Sequence, residues 1–408
     1  MKTSKLFLMP FLLFGILGCS NEENNKNYQA ELDAVVKNIH TNLQNSLQTD
    51  IPSLSVYVVS SKGTYFSTIK GTNGTTVTPT TYFRFASNTK NFTSTAILKM
   101  MQDGWLNLDD KITANIPGTD IPYTPNIAEW NFPYKNQITI RQLLQHNAGI
   151  YDVTNDNSQY HINGETYGDY MLNNYPDHQF TTTEYTKVLA EHDLTYGAPN
   201  TVYHYSNTGY SILGEIIARI YSQKANTLKT YGNYMYDHIV GPSSKVPIGI
   251  KFPELASDKQ LLTPYVKGLI KNDNTVEVTD LKNASPHIAE GNGVGTMLML
   301  SSYIRSVMKG KNVLYPSSAE LMRRSRGMAT TAENRNYSLG CFYLPGVGYG
   351  HNGATEGYLS IMLYDPDTDF SVIVLLPFWD LSDNAQKFPQ CINALNMTAL
   401  EAKKTLGY

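Results

Sequence analysis

The stretch FRFASNTKNFTSTAILKMM, Phe83 to Met101, decides how this chain is read. A strand-like run, TYFRFAS, leads into it from Thr81. Beyond Ser87 the residues Phe92, Ala96, Ile97 and Met100 recur at helical spacing until Gly104. Ser87 therefore lies where a strand delivers the chain into a helix N-terminus. Lys90, three residues on, shares its helix face and can bring an amine to the Ser87 hydroxyl. A serine is a poor nucleophile until a neighbouring base accepts its proton. A lysine does so only when neutral, which requires burial or nearby positive charge. The free N–H groups of a helix start also favour the negative oxygen that forms on an attacked carbonyl. The same four residues suit a plain helix cap with a solvated lysine. A second Ser-x-x-Lys, Ser306 to Lys309, falls in the late turns of a helix expected over Gly295–Gly310, where there is neither an exposed serine nor a free helix end.

Working outward, Gln29–Leu47 has Leu32, Val35, Val36, Ile39 and Leu43 on one helical face. Two strands follow, LSVYVVSS and TYFSTIKG, joined at Lys62-Gly63. The middle of the chain is helical and loop-rich: Ile138–Ile150 with Thr139 as cap, then Asn207–Ser222, then Gly295–Gly310. Strands return in YSLGCFYL, GYLSIMLYD and FSVIVLLP, and a last helix is expected from about Asp383 to Asn396. This order predicts an α+β fold. An antiparallel sheet is assembled from both chain ends and flanked by helices, with a mainly helical lobe, about 105–330, inserted in a domain covering 29–408.

Ahead of that domain, Lys2 and Lys5 precede an apolar run, Leu6 to Gly18, of secretory length and too short to span a bilayer. It ends in ILGCS, which resembles the lipobox of bacterial lipoproteins. That resemblance implies a signal peptide over 1–18, lipidation of Cys19, a linker over 19–28, and a lipid anchor in a membrane. The acidic SNEENN that follows is similar to a surface-export signal, so the expected location is the outer membrane, at the cell surface or its periplasmic face. Net charge is -3 with 16% charged residues and no long basic run, which argues against a nucleic-acid partner. Nine histidines without His-Glu-x-x-His, and no cysteine pairs at ligand spacing, give no reason to expect a metal or cofactor. Cys341 and Cys391 suit either a disulfide or two buried thiols.

Two further segments matter for Ser87. Tyr205-Ser206-Asn207 sits immediately ahead of the Asn207–Ser222 helix, unlike the other Tyr-x-Asn matches at Tyr134 and Tyr231. His351-Asn352-Gly353 stands at the edge of a strand, with a glycine that permits close approach to the backbone. With FRFASNTK, DGWLNLDDKI, ITIRQLLQHNAGI, YHYSNTGYSILGEII and GHNGATEGYLSIM, these segments resemble the serine β-lactamase-like superfamily, in its class C and DD-peptidase/esterase branch, over about Leu54 to Leu376.

The resemblance implies that Ser87 is acylated, that Lys90 and Tyr205 share general-base and proton-relay duties, and that Asn207 orients Lys90 and substrate. It also implies that His351 and Gly353 line the site and that the N–H groups of Ser87 and Ala354 form an oxyanion hole. Where class C enzymes carry Lys-Thr-Gly this chain has His351, whose charge is expected to depend on pH near neutrality. The function so implied is a cell-envelope serine hydrolase acting on an amide or ester in a small molecule or peptide, with water, an amine or an alcohol as acceptor. A β-lactamase, or a non-catalytic binder of peptidoglycan or β-lactams, is the alternative. Tyr151, Tyr160, Tyr167, Tyr170 and Tyr175 either roof the pocket or belong to a surface loop.

Overall fold

A computed structural model describes residues 26–242, 248–328 and 336–408; the leader and Cys19 lie outside them. The chain runs through α1 (Tyr28–Leu47), β1 (Ser53–Ser60), β2 (Gly63–Lys70), β3 (Tyr82–Arg84) and α2 (Thr89–Gln102). The middle supplies α3 (Ile140–Leu144), α4 (Tyr167–Asn174), α5 (Thr182–Glu191), α6 (Asn207–Ala225), α7 (Tyr231–Tyr234), β4 (Leu269–Lys271), β5 (Thr275–Glu277), β6 (Val294–Thr296), α8 (Met297–Met308) and α9 (Pro316–Arg324). It closes with β7 (Phe342–Leu344), β8 (Gly348–Thr355), β9 (Tyr358–Asp365), β10 (Phe370–Leu376), β11 (Phe378–Asp380) and α10 (Phe388–Thr405).

Six strands form one antiparallel sheet in the order β2-β1-β10-β9-β8-β7, so both chain ends meet at its centre, as the sequence predicts. Register sets Val56 opposite Val374, Val374 opposite Ile361, and Met362 opposite His351. Alternate side chains point to opposite faces. Val56, Ile361 and Val374 pack with Leu32, Val36 and Leu43 of α1 and with Leu395 and Ala399 of α10. Tyr57, Met362 and Ile373 pack with Phe92 of α2 and with Leu300 and Tyr303 of α8. Because both faces are covered, β9 and β10 are buried throughout, which is why they read as unbroken apolar runs.

Several boundaries depart from the sequence reading for local reasons. The strand ahead of Ser87 leaves the main sheet and pairs with β6, Phe83 opposite Gly295, so Val294–Thr296 becomes strand and α8 starts only at Met297. Thr296 caps that helix by accepting from the Met299 N–H. β7 is short because Gly340, at φ 55°, turns the chain just before it. The last helix starts at Phe388, not Asp383, because Asp383, Asn384 and Ala385 are all left-handed; Pro389 then fits its first turn. Thr139 does cap α3, in a capping box with Gln142.

From Thr89 to Leu98 α2 is buried on every side, polar residues included. Thr93 donates to the Ala289 carbonyl at 2.6 Å, Ser94 to Leu339 O at 2.8 Å and Asn91 to Gly340 O at 3.0 Å, while Thr95 meets the Tyr303 hydroxyl at 2.7 Å. These bonds compensate the burial of polar groups. They also tie α2 to three other parts of the chain, giving whatever stands at its N-terminus a fixed base.

Candidate active site

Ser87 sits in a tight turn, Ala86–Asn88, that runs directly into α2. Ala86 is held at φ 49°, a conformation that costs an L-residue roughly 1–2 kcal/mol. The surroundings enforce it. The Phe85 N–H donates to Gly293 O at 3.0 Å, and the Asn88 amide donates to Phe85 O and to Ser360 Oγ on β9, each at 2.9 Å. Two glycines allow the turn to be gripped. A Cβ on Gly353 would lie 2.1 Å from Phe85 O, and one on Gly293 would lie 1.9 Å from the Phe85 ring. β8 and the residue leading into β6 can therefore approach the turn only as glycine backbone.

One helical turn on, the Lys90 ammonium is completely buried. Its Nζ donates to Ser87 Oγ at 3.1 Å, Asn207 Oδ1 at 2.6 Å, Glu290 O at 3.0 Å and Glu290 Oε2 at 3.2 Å. Asn207 arrives because Ser206 caps α6, accepting from the Gly209 N–H at 3.2 Å, while the Asn207 N–H is held by Asp152 Oδ2 at 2.9 Å. The Tyr205 ring lies 4.8 Å from Nζ. Burial opposes the charge on Lys90, but Tyr205 and the Glu290 carboxylate outweigh it and hold the ammonium above its ordinary range. For Glu290, burial is likewise overcome, by the charges of Lys90 and His287, and the carboxyl is held below its ordinary range. Burial raises the Tyr205 phenol, against the positive charge of Lys90. At neutral pH the resting state is thus a buried ion pair beside a neutral phenol.

His351 departs from expectation. It is 1% exposed, and burial lowers its pKa from 6.5 to about 3, so its charge does not respond to pH near neutrality. Its partners fix its tautomer. Nδ1–H donates to Asn352 O at 2.6 Å, leaving Nε2 to accept from the Tyr337 hydroxyl at 3.0 Å. That hydroxyl meets Nε2 of His146 at 3.2 Å, whose Nδ1 accepts from the Ser206 N–H at 3.1 Å. A histidine buried neutral has a measurable consequence. The unfolded chain protonates near 6.5 and the folded one only near 3, so stability is full above 6.5 and falls as pH drops toward 3. The expected slope for His351 is about 1.4 kcal/mol per pH unit. Urea unfolding across that range should show the decline, and His351→Gln should flatten it; an unchanged slope would mean that His351 is protonated in the folded protein.

Ser87, Tyr205, Asn207 and Ala354 line one cavity of about 560 Å³ together with Glu290, His287, Lys282 and Asn352. Lys90 lies behind its wall. The His351 side chain and Gly353 do not line it; Gly353 serves the turn and His351 the buried network. The Tyr-rich segment borders the cavity through Thr154, Asn155, Asp169 and Leu172, not through its tyrosines. Tyr151 is buried with its hydroxyl on Asp156 O, and Tyr175 edges a separate hollow. Among the described lining residues the basic side chains are paired with acids: Lys282 with Glu356 at 3.2 Å, and His287 Nδ1 with Glu290 Oε1 at 2.5 Å. The rival pair forms no site, since Lys309 binds Asp369 at 2.9 Å and Ser306 accepts from Asn312. Cys341 and Cys391 are both free thiols, raised by burial to about 12 and about 11.

Sequence reasoning missed Glu290 and His287. Glu290 stands 200 residues from Lys90 in the glycine-flanked loop AEGNGVG, after Ala289 at φ 67°; no periodicity or pairing motif marks it.

A serine and lysine on one helix start, a tyrosine and asparagine ahead of a second helix, and a glycine-bearing strand against the first together define a class. The chain belongs to the beta-lactamase family of serine hydrolases, whose model matches residues 30–385. Among its relatives is the protein flp of Staphylococcus aureus, 30% identical in strain MRSA252 over 329 residues, which are 80% of this chain and 58% of that one. The chain thus spans under two thirds of the length of these curated relatives. Penicillin-binding protein 4* of Bacillus subtilis is 30% identical over 139 residues, 34% of this chain and 25% of that protein. The fold is that of the D-amino acid amidase from Ochrobactrum anthropi SV3 in complex with L-phenylalanine amide, at TM-score 0.69 and 20% identity, covering 93% of this chain and all of that one. A D-stereospecific amidohydrolase from a Streptomyces species aligns at TM-score 0.68 and 21% identity, over 89% and 98% of the two chains.

Proposed function

We propose that this protein transfers the acyl part of an amide or ester to Ser87 and then to water, and that its substrates lack a carboxylate beside the scissile bond. The observation that carries the reading is Lys90 Nζ 3.1 Å from Ser87 Oγ at the head of a buried helix, with Ser87 itself open to the cavity. In this mechanism Ser87 Oγ attacks the carbonyl as its proton passes into the Lys90–Tyr205 pair. The N–H groups of Ser87 and Ala354 stabilise the oxyanion. Tyr205 carries the proton on to the leaving group, and water releases the acyl-enzyme. The amidases that share the fold support an amide substrate.

The restriction on charge comes from the cavity. Penicillins and D-alanyl-D-alanine ends present a carboxylate that wants a cation, yet His351 is neutral and buried, and Lys282 is committed to Glu356. A charge-assisted hydrogen bond is worth about 1.5–3 kcal/mol. Turnover of p-nitrophenyl butyrate, D-phenylalanine amide and benzylpenicillin tests the proposal. The ester or the amide should turn over, with kcat/KM for benzylpenicillin roughly 10–100-fold lower than for the better of the two. Equal or faster penicillin cleavage would overturn the substrate class. Absence of any acyl adduct on Ser87 would overturn the mechanism.

A further inference from the structure

We infer that Glu290 takes the proton that Lys90 must lose before Lys90 can act as base toward Ser87. This rests on the acyl-enzyme reading above and adds to it a residue that works through Lys90. An ammonium has three hydrogens, and Lys90 Nζ has four oxygen acceptors: Ser87 Oγ, Asn207 Oδ1, the Glu290 carbonyl and Glu290 Oε2. Ser87 is the group to be deprotonated. An amide oxygen and a peptide carbonyl do not hold a proton at neutral pH. Only Glu290 Oε2, 3.2 Å away, can take one.

Its geometry suits that task. His287 Nδ1 occupies the other carboxylate oxygen at 2.5 Å, which fixes the carboxylate plane and leaves Oε2 facing Lys90. Both members of the pair are buried, with side chains 0% and 3% exposed. Burial disfavours both charges, but the attraction between them wins and the ion pair is the resting form, so the proton transfer is an uphill step that the attack on the carbonyl must draw forward.

The step balances. A Lys90 N–H bond breaks and a Glu290 O–H bond forms. The free amine then takes the Ser87 proton as the Oγ–carbon bond forms. When the leaving group departs with a proton delivered through Tyr205, Glu290 returns its own to Lys90, and the ion pair is restored.

The other titratable groups around the pair do not replace Glu290. His146 and His351 are held neutral by burial, and both feel the Lys90 charge without bonding to Nζ. Asp152 is engaged with the Asn207 N–H and is raised by burial. Tyr185 and Tyr210 are buried phenols raised by desolvation, with their hydroxyls on Pro286 O and Leu144 O. Tyr205 does reach Lys90, but as a neutral phenol it already carries its proton.

The test follows kcat/KM and acyl-adduct formation between pH 5 and 10 for the wild type, Glu290→Gln and Glu290→Asp, using p-nitrophenyl butyrate. Glu290→Gln keeps shape and hydrogen bonding but cannot take a proton. At pH 7 it should acylate roughly 100-fold more slowly with KM unchanged. Its rate should climb with pH, because Lys90 must then lose its proton to solvent. Glu290→Asp should recover part of the rate and the wild-type profile. Where Glu290→Gln melts well below the wild type, the rate of Glu290→Asp at pH 7 decides: an acceptor set back by one methylene should acylate roughly 10-fold more slowly than the wild type, whereas a carboxylate that only balances charge would leave the Asp rate within about 3-fold. A Gln profile of wild-type shape within about 3-fold in rate, or one moved to lower pH, would overturn the inference while adducts on wild-type Ser87 keep the hydrolase reading intact. No adduct on the wild type would overturn both.

Discussion

Ser87→Ala is expected to fold like the wild type and to lose turnover by roughly 10⁴-fold or more. Stability should survive because Ser87 Oγ is the one acceptor Lys90 can spare. Without it, three hydrogens still face Asn207 Oδ1, Glu290 O and Glu290 Oε2. A change of that kind normally stays within about 0.5 kcal/mol. Activity should not survive, since no other hydroxyl stands at this helix start with the cavity before it. The direct measurement is intact mass after incubation with p-nitrophenyl butyrate or benzylpenicillin. The wild type should gain one acyl group with at least one of them, and Ser87→Ala none. An adduct that persists in Ser87→Ala would place the nucleophile elsewhere in the chain and end the present assignment.

Lys90→Met should cost both activity and fold. It removes the base and leaves the Glu290 carboxylate buried, with the His287 ring as its remaining side-chain partner. Breaking a buried pair from one side typically costs about 3–5 kcal/mol, most of it the isolated charge and not the lost attraction. The double variant Lys90→Met with Glu290→Gln should therefore unfold later in urea than Lys90→Met alone, with a coupling of about 1–3 kcal/mol. The wild-type pair also predicts the direction of the pH response. Glu290 is lowered from 4.5, so its contribution is complete above 4.5 and is lost as pH falls through its folded value. Lys90 is raised from 10.5, so its contribution is complete below 10.5 and is lost as pH climbs through its folded value. Lys90→Met within 1 kcal/mol of the wild type would mean that Glu290 is protonated or solvated, against the buried geometry.

Ser87, Lys90, Tyr205 and Asn207 were legible because each stands at a helix start, where spacing and capping residues leave a mark in the sequence. The six-stranded sheet was legible because short apolar runs as continuous as β9 and β10 belong to strands covered on both faces. What escaped depends on contacts between distant segments. Glu290 reaches Lys90 from a loop whose path is set by the β3–β6 pairing and by glycines packed against Phe85, none of which leaves a periodic trace. His351 was found by position, but its state was misjudged. Its neutrality comes from complete burial and, second, from the positive charge of Lys90, and a one-dimensional pattern does not record how deeply a strand-edge side chain is enclosed. The tyrosines of 151–175 drew attention by number, while the residues that reach the cavity from that segment are Thr154, Asn155, Gly168, Asp169 and Leu172, none of them aromatic.

The pairing of β1 with β10 carries a consequence for how the molecule comes into being. Ser55 pairs across with Leu375, and α1 packs on α10, so β1 and α1 find their permanent neighbours only in segments that follow residue 369. The β1–β2 hairpin can close early, but one edge of β1 stays unsatisfied until β10 emerges. Contacts of such sequence separation form slowly, and an unpaired strand edge invites association in the interval. Ser87 is affected in the same way, because the glycine strand that braces its turn is β8, near the end of the chain. A nascent chain halted before residue 348 would hold the serine, the lysine, the tyrosine and Glu290, yet lack the wall against which the serine is set. The braced turn at Ser87 is therefore complete only once β8 has joined the sheet.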